Sequence, residues 1–251
     1  PVIAFAVTST DDGSDYLTAL ELGRAIQRIE DAHVVYIARE DWGDFTGIDV
    51  LINMSPYFDL DRATATNPFI TTVNWIRLWF DRWATRSSLH AFDLTVASSE
   101  VAARYLEEAT GSRVPVMPTA TDWKAMSAGT PTSAYECDYC FTGGHPGGRR
   151  DIEFDLDGPA IRGRGKIFGK GWDTTTLAAI AHGPLPYAEI PNVYASTKVV
   201  IDEGVGATAH WGSCSSRLLD ALGAGCLVIT NNAVGAHELF GDLLPVYQGR
   251  G

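Results

Sequence analysis

An α/β chain with two parallel sheets in tandem is what the sequence predicts, and three observations predict it. Short β-rich runs alternate with segments of helical periodicity from the first residue onward. The alternation halts once, in a polar stretch over residues 119–131 that ends in Gly and Pro, and then resumes. The length of 251 residues suits one large domain or two of about 120 residues each. The boundary is set at 125/126, giving domains over residues 1–125 and 126–251.

Each element has its own reason. Residues 2–7, Val-Ile-Ala-Phe-Ala-Val, are a continuous apolar run and read as a buried strand. Turn residues fill 8–15. From Tyr16 a helix follows, with Ala19, Leu22, Ile26 and Ile29 on one face. Further strands fall at 34–38, 49–53, 70–75 and 94–97. Ser98 or Ser99 caps a helix that turns Ala102, Ala103 and Leu106 inward, and Gly111 ends it as a left-handed residue. Residues 114–117 close the first half. In the second half the strands are 138–142, 166–169, 199–202 and 227–230, and the helices are 188–195, 215–224 and 235–240. Strands alternating with helices imply right-handed βαβ units and parallel sheets. Such sheets bind ligands beyond the carboxyl ends of their strands, here expected in a cleft between the two domains.

Composition narrows the function classes. Hydrophobic residues make up 45% and charged residues 20%, a globular balance. No apolar run approaches the ~20 residues that cross a bilayer, so a cytoplasmic chain is expected, at most peripheral to the inner membrane surface. The opening Pro1-Val-Ile-Ala lacks a basic leader and an initiator Met, which reads as one domain of a longer polypeptide. A formal net charge of −12 argues against a nucleic-acid partner, which would need clustered Lys and Arg. It leaves room for a small anion in a local basic pocket. Cys137-Asp-Tyr-Cys140 resembles half of a zinc site, but no second Cys pair exists, so the four cysteines read as core residues and no metal is expected.

The strongest segment is Trp211-Gly-Ser-Cys-Ser-Ser-Arg-Leu-Leu-Asp-Ala-Leu-Gly-Ala-Gly, followed by the strand Leu-Val-Ile-Thr. Ser213, Ser215 and Ser216 open a helix whose free N–H groups and dipole favour an anion. Arg217, in the first turn, adds a charged donor suited to phosphate, and is the first candidate catalytic residue. Asp220, one turn on, offers a carboxylate to sugar hydroxyls. The plain alternative is helix capping plus an Arg217–Asp220 surface pair.

A second segment, Cys140-Phe-Thr-Gly143-Gly144-His145-Pro-Gly-Gly-Arg149-Arg150, runs a strand into a glycine-rich loop. Gly143 and Gly144 allow close backbone approach and Arg149 supplies charge, although the spacing fits neither the dinucleotide nor the P-loop pattern. His145 alone reads as structural. A third segment, Phe168-Gly-Lys170-Gly171-Trp172, leaves an aromatic surface exposed at a sheet edge where a base could pack. It is followed by Gly183-Pro184-Leu-Pro-Tyr187. In the first half, Asn74-Trp-Ile-Arg77-Leu-Trp-Phe-Asp-Arg-Trp83 is rich in Trp and Arg, and Arg77 is placed at the cleft as a candidate catalytic residue. The loop carrying Asp11, Asp12 and Asp15 sits there too. Asp12 and Asp15 are candidates for a general base, against helix capping by Ser14 or Asp15.

Together these segments resemble the GT-B glycosyltransferases of group 1, nearest the CgeB-like, spore-maturation branch. The resemblance is strongest over residues 138–247. Ser-Arg-Leu-Leu-Asp-Ala-Leu-Gly-Ala-Gly followed by Leu-Val-Ile-Thr-Asn is its specific part. It implies two Rossmann-like domains, with the N-terminal domain for the acceptor and the C-terminal domain for a nucleotide-sugar donor. Asp220 occupies the ribose-binding position, where Glu is commoner, and Ser215, Ser216 and Arg217 would hold the diphosphate. Many relatives carry a second Glu eight positions earlier; here that position is Gly212. The long C-terminal helix of the family is missing, so the chain reads as a minimal version. The resemblance further implies transfer of a hexosyl or deoxyhexosyl group to a glycan, in bacterial polysaccharide biosynthesis, without a metal or other cofactor and with retention. The other readings are a nucleotide-sugar 2-epimerase and a catalytically silent sugar-binding module.

Overall fold

The computed structural model describes residues 1–11, 13–148, 150–156 and 164–248. The chain divides into two compact units, Pro1–Thr119 and Ala120–Gly251. Residues 120–125 therefore go with the second unit, ahead of the boundary expected at 125/126. The reason is packing: the short helix Trp123–Ser127 lies against the helix Ser216–Gly223 and buries Met126.

The first unit holds a parallel sheet of β1 (Val2–Ala6), β2 (His33–Ile37), β3 (Val50–Asn53), β4 (Thr71–Ile76) and β5 (Leu94–Ala97), in the order β2-β1-β3-β4-β5. The apolar runs that predicted these strands are buried: Ala4, Phe5 and Ala6 have no exposure. The helix Ser14–Ile29 follows β1 and packs Ala19, Leu22 and Ile26 against the core that contains Phe5 and Trp75. Ile29, expected on the same face, is 78% exposed, because it is the last helical residue and the stripe has run out beneath it. Ser99 caps the helix Glu100–Thr110, its Oγ accepting from the Ala102 amide at 3.2 Å, and Gly111 ends it at φ 66°. Residues 114–117 contribute only a bridge between Val116 and Ala97.

The second unit holds β6 (Cys137–Thr142), β7 (Gly165–Phe168), β8 (Thr197–Asp202) and β9 (Leu227–Thr230), all parallel, in the order β7-β6-β8-β9. The helices Ile190–Ala195, Ser216–Gly223 and Ala233–Phe240 match the sequence periodicity. Val193, Tyr194, Leu218, Ala221 and Val228 fill one core, and Phe141, Ile167 and Trp172 another. The cysteines are free thiols. Cys140 and Cys214 are buried, and burial pushes the Cys214 thiol up to about 12. No helix among the described residues is long and apolar enough to cross a membrane.

Candidate functional site

In the second unit the strand order reverses between β6 and β8, the place where open parallel sheets bind ligands. β6 ends in Phe141-Thr142 and runs into Gly143-Gly144. β8 ends in Asp202 and continues as Glu203-Gly204. Arg217, from the first turn of the helix Ser216–Gly223, joins the two strand ends. Its Nε donates to the Thr142 carbonyl, and its Nη1 donates to Asp202 Oδ1 at 3.0 Å and to the Glu203 carbonyl at 3.4 Å. The guanidinium lies 4.0 Å above the Phe141 ring. Gly143, at φ 148°, makes this possible: a Cβ there would stand 2.5 Å from Nη2. The sequence alternative of a surface pair between Arg217 and Asp220 gives way to a buried partner, Asp202.

Asp202 has no exposure, and both of its oxygens are satisfied. Oδ1 accepts from Ser215 Oγ at 2.6 Å and from Arg217, and Oδ2 accepts from Thr230 Oγ1 at 2.7 Å. Ser215 Oγ, its proton given to Asp202, also accepts from the Leu218 amide at 3.2 Å as the helix cap. Ser213 is buried, its carbonyl accepting from Asn232 Nδ2 at 2.9 Å, while Ser216 is half-buried at the helix start.

A second arginine lies beside the first. Arg150 is 8% exposed, donates from Nε to Glu203 Oε2 at 2.7 Å and from Nη1 to the Gly144 carbonyl at 2.7 Å. Its guanidinium sits 4.9 Å from the Phe141 centroid. Burial pulls its pKa down, with Glu203 acting against that. Glu203 also accepts from the Asp151 amide at 2.7 Å. Arg149, the arginine singled out in the sequence, lies outside the described residues, as does Asp12. Asp202 and Glu203 were missed. Their signal was a pair of carboxylates directly after the apolar run Val199-Val200-Ile201.

Asp220 is 2% exposed. Thr121 Oγ1 donates to its Oδ1 at 2.6 Å and the Tyr187 hydroxyl to its Oδ2 at 3.0 Å. Burial pushes its pKa up to about 6, against both hydroxyl bonds and the charge of Arg217. Tyr187 is half-buried, at the end of the Gly183–Tyr187 turn. Nearby, Lys170, Gly171, Trp172, Gly183 and Pro184 line a pocket of about 380 Å³. Trp172 corrects the sequence reading of an exposed aromatic surface: it is 1% exposed. Its Nε1 donates to the Gly143 carbonyl at 2.8 Å, so the indole supports the glycine loop from beneath. Gly171, at φ 82°, packs against the His145 carbonyl. His145 is structural: Nδ1 accepts from the Gly147 amide at 3.2 Å and Nε2 meets Glu153 Oε1 at 2.9 Å. Gly212, where many relatives of the resembled family have Glu, adopts φ 74°, a conformation that strains any side chain.

In the first unit the strand order reverses between β1 and β3. Asp15 follows β1, and its oxygens accept from the Thr8 amide at 2.6 Å and the Tyr16 amide at 3.0 Å. It ties the loop to the helix, whose N-cap is Gly13 rather than Ser14 or Asp15. Each Asp15 oxygen thus accepts from one backbone amide. Asp11 is exposed at the same loop. Arg77 follows β4, with its guanidinium 5.2 Å from the Trp75 ring. Burial pulls its pKa down to about 10, and the charge of Asp15 acts against that.

Among the described residues, no group of three or more His, Cys, Asp or Glu side chains is arranged to hold a metal ion. The β6/β8 rim itself offers anion binding by two oriented guanidiniums and a helix start, next to a buried carboxylate rimmed by hydroxyls.

Residues 154–249, within the second unit, match the family model described as "Glycosyl transferase-like". No curated protein sequence matches the chain. Anabaena HepE in complex with UDP and glucose superposes with a TM-score of 0.67 at 13% identity, over 99% of this chain and 86% of that one. An alpha-glucosyltransferase in complex with UDP and a 13-mer DNA gives 0.64 at 10% identity, over 97% and 83%. A lipopolysaccharide outer core galactosyltransferase gives 0.58 at 11% identity, over 100% and 86%. At such identities the likeness establishes the fold: two Rossmann-like parallel-sheet domains, as in GT-B glycosyltransferases.

Proposed function

We propose that this chain is a glycosyltransferase of the CgeB-like kind that takes a nucleoside diphosphate sugar at the β6/β8 rim and transfers the sugar, hexosyl or deoxyhexosyl, to a glycan. Arg217 carries the reading. Its guanidinium sits at the strand-order reversal, beside a helix start and above a glycine loop, within the segment that matches the glycosyl transferase-like model. With Arg150 it would meet the diphosphate and stabilise the charge that builds on it as the bond between the anomeric carbon and the phosphate oxygen breaks. Asp202 and Glu203 keep the two guanidiniums in place before the donor arrives, so little reorganisation is left for the reaction.

Tyr187 and Asp220 fit a ribose. The phenol hydrogen is directed to Asp220, so toward a ligand the phenol oxygen accepts, and a ribose hydroxyl is a donor of the right kind. The pocket beside Lys170, Gly171 and Pro184 would take the base, with the Gly143-Gly144 loop next to the phosphates. UDP is the first nucleotide to test, since it occupies Anabaena HepE and the alpha-glucosyltransferase.

Transfer with retention needs no protein base. The acceptor hydroxyl bonds to the anomeric carbon on the face the diphosphate leaves, and its proton passes to a phosphate oxygen. The side chains that hold the charge are arginines, so a bound metal is not required. The first unit supplies the acceptor surface. The setting is bacterial polysaccharide synthesis at the cytoplasmic side of the membrane.

The test is incubation with UDP-, GDP-, dTDP- and CDP-sugars in EDTA, with and without glycan acceptors. Free nucleoside diphosphate and a lengthened acceptor are expected. Activity that EDTA abolishes and Mg²⁺ restores would remove the metal-free part. A changed sugar on an intact nucleotide would mean epimerase, and nucleotide-sugar binding without turnover a silent module.

A further inference from the structure

The segment from β4 to the helix Phe80–Ala84 contains three tryptophans, and the fold accounts for two of them. Trp75 and Trp83 are each 3% exposed and belong to the core. Trp79 between them is only half-buried. It is also the only non-glycine residue with positive φ among the described residues, at φ 60° and ψ 39°. A bulky side chain is disfavoured there, and Gly or Asn would hold the turn without strain. Neither the backbone nor the core therefore asks for tryptophan at this position. Strained residues of this kind persist where a site needs the side chain they place.

The surroundings say what the indole could meet. Trp79 lies past the carboxyl end of β4, on the rim where parallel sheets hold ligands. The exposed Arg82 lays its guanidinium 4.0 Å from the indole centroid, so the half-buried indole is edged by N–H donors. A pyranose has the matching character, with an apolar C–H face and a rim of hydroxyls that accept hydrogen bonds.

We propose that Trp79 is the stacking platform for a pyranose ring of the acceptor glycan, with Arg82 holding one face of the indole and reaching the sugar's hydroxyls. That the bound sugar is the acceptor rests on the transferase reading; that a sugar ring binds here does not.

The probes are neutral oligosaccharides, namely maltohexaose, cellohexaose, chitohexaose and mannohexaose, titrated calorimetrically into the wild-type chain and into Trp79→Ala, Trp79→Phe and Trp79→Gly. Binding of at least one probe by the wild type is expected. Trp79→Ala should weaken it about tenfold or more, while Trp79→Phe keeps most of it. Trp79→Gly separates strain from stacking: it should melt above Trp79→Ala, because the turn relaxes, yet bind sugar no better. No binding of any probe by the wild type, or equal binding by Trp79→Ala and the wild type in a folded protein, overturns the platform. Consumption of nucleotide sugar, followed in parallel on the wild type, reports on the transferase reading by itself. A chain that binds oligosaccharide through Trp79 but spends no donor would keep the platform and lose the acceptor role.

Discussion

The carboxyl rims of the two sheets hold their arginines in different ways. In the second unit each rim arginine lies by the Phe141 ring and has a buried acid as well: Arg217 has Asp202 and Arg150 has Glu203, at 3.0 and 2.7 Å. In the first unit four arginines lie on rings: Arg39 on Tyr57, Arg77 on Trp75, Arg82 on Trp79 and Arg86 on Trp83. A guanidinium fixed by a carboxylate and two carbonyls has one orientation and suits a phosphate. An exposed guanidinium resting on an indole, as that of Arg82 does, suits a neutral, hydroxyl-bearing ligand. On the proposed function, the rim of the second unit would take the donor diphosphate and that of the first unit the acceptor.

The largest effect expected from breaking this contrast is at Asp202. Asp202→Ala leaves Arg217 as a buried charge without its carboxylate, and strands Ser215 and Thr230 as well. A loss of about 3–5 kcal/mol in unfolding free energy, read from urea titrations, is expected. Asp202→Asn, which keeps one acceptor, should lose less. A loss under about 1 kcal/mol for Asp202→Ala would mean that the pair is as weak as a surface one.

Asp220 gives the next effect, and its sign follows from burial. Its pKa rises from 3.8 to about 6, so the folded chain holds the proton more tightly than the unfolded one. The stability this contributes is complete below pH 3.8 and is lost as pH climbs through about 6. At about 1.4 kcal/mol for each unit between the two values, the loss comes to about 3 kcal/mol. Asp220→Asn has no proton to lose. Its stability relative to wild type should therefore improve by about that amount between about pH 4 and about pH 7, while its affinity for UDP falls. A pH-independent difference would place the carboxylate in a wetter setting than the structure does. Equal affinity for UDP would end its role at the ribose.

The smallest effect belongs to the first unit's stacks. Arg86, 5.5 Å from the Trp83 ring, can be replaced by Ala at a cost under about 1 kcal/mol, seen as a small shift of the urea midpoint. A loss as large as that of Asp202→Ala would erase the contrast between the rims.

Much of this was legible in the sequence because the signals were local. Continuous apolar runs such as Val-Ile-Ala-Phe-Ala and Val-Val-Ile mark strands buried on both faces, and Ser99 with Gly111 brackets its helix by chemistry that acts within a few residues. The helix start at Ser215–Arg217 was legible for the same reason. What stayed hidden depended on residues far apart in the chain. Trp172 looks exposed after Gly-Lys-Gly, and only the position of the Gly143 carbonyl, 29 residues earlier, shows that its indole is consumed inside. Arg217 and Asp220 sit three residues apart and suggest each other. The true partners, Asp202 for one and Thr121 and Tyr187 for the other, come from β8, the Thr121 segment and the Pro-rich turn. The strain at Trp79 leaves no sequence trace at all, since nothing in Leu-Trp-Phe announces a left-handed residue.

The central claim is that Arg217 stabilises the departing diphosphate, and steady-state turnover of the preferred nucleotide sugar by Arg217→Ala and Arg217→Lys tests it most directly. A charge-assisted contact of about 1.5–3 kcal/mol that strengthens as negative charge builds should appear in kcat, not in donor KM. Arg217→Ala is expected to lower kcat by at least about tenfold with little change in KM, and Arg217→Lys to recover part of it by restoring charge without the planar fork. A folded Arg217→Ala protein with wild-type kcat would contradict the account and reduce Arg217 to a strut between two strand ends.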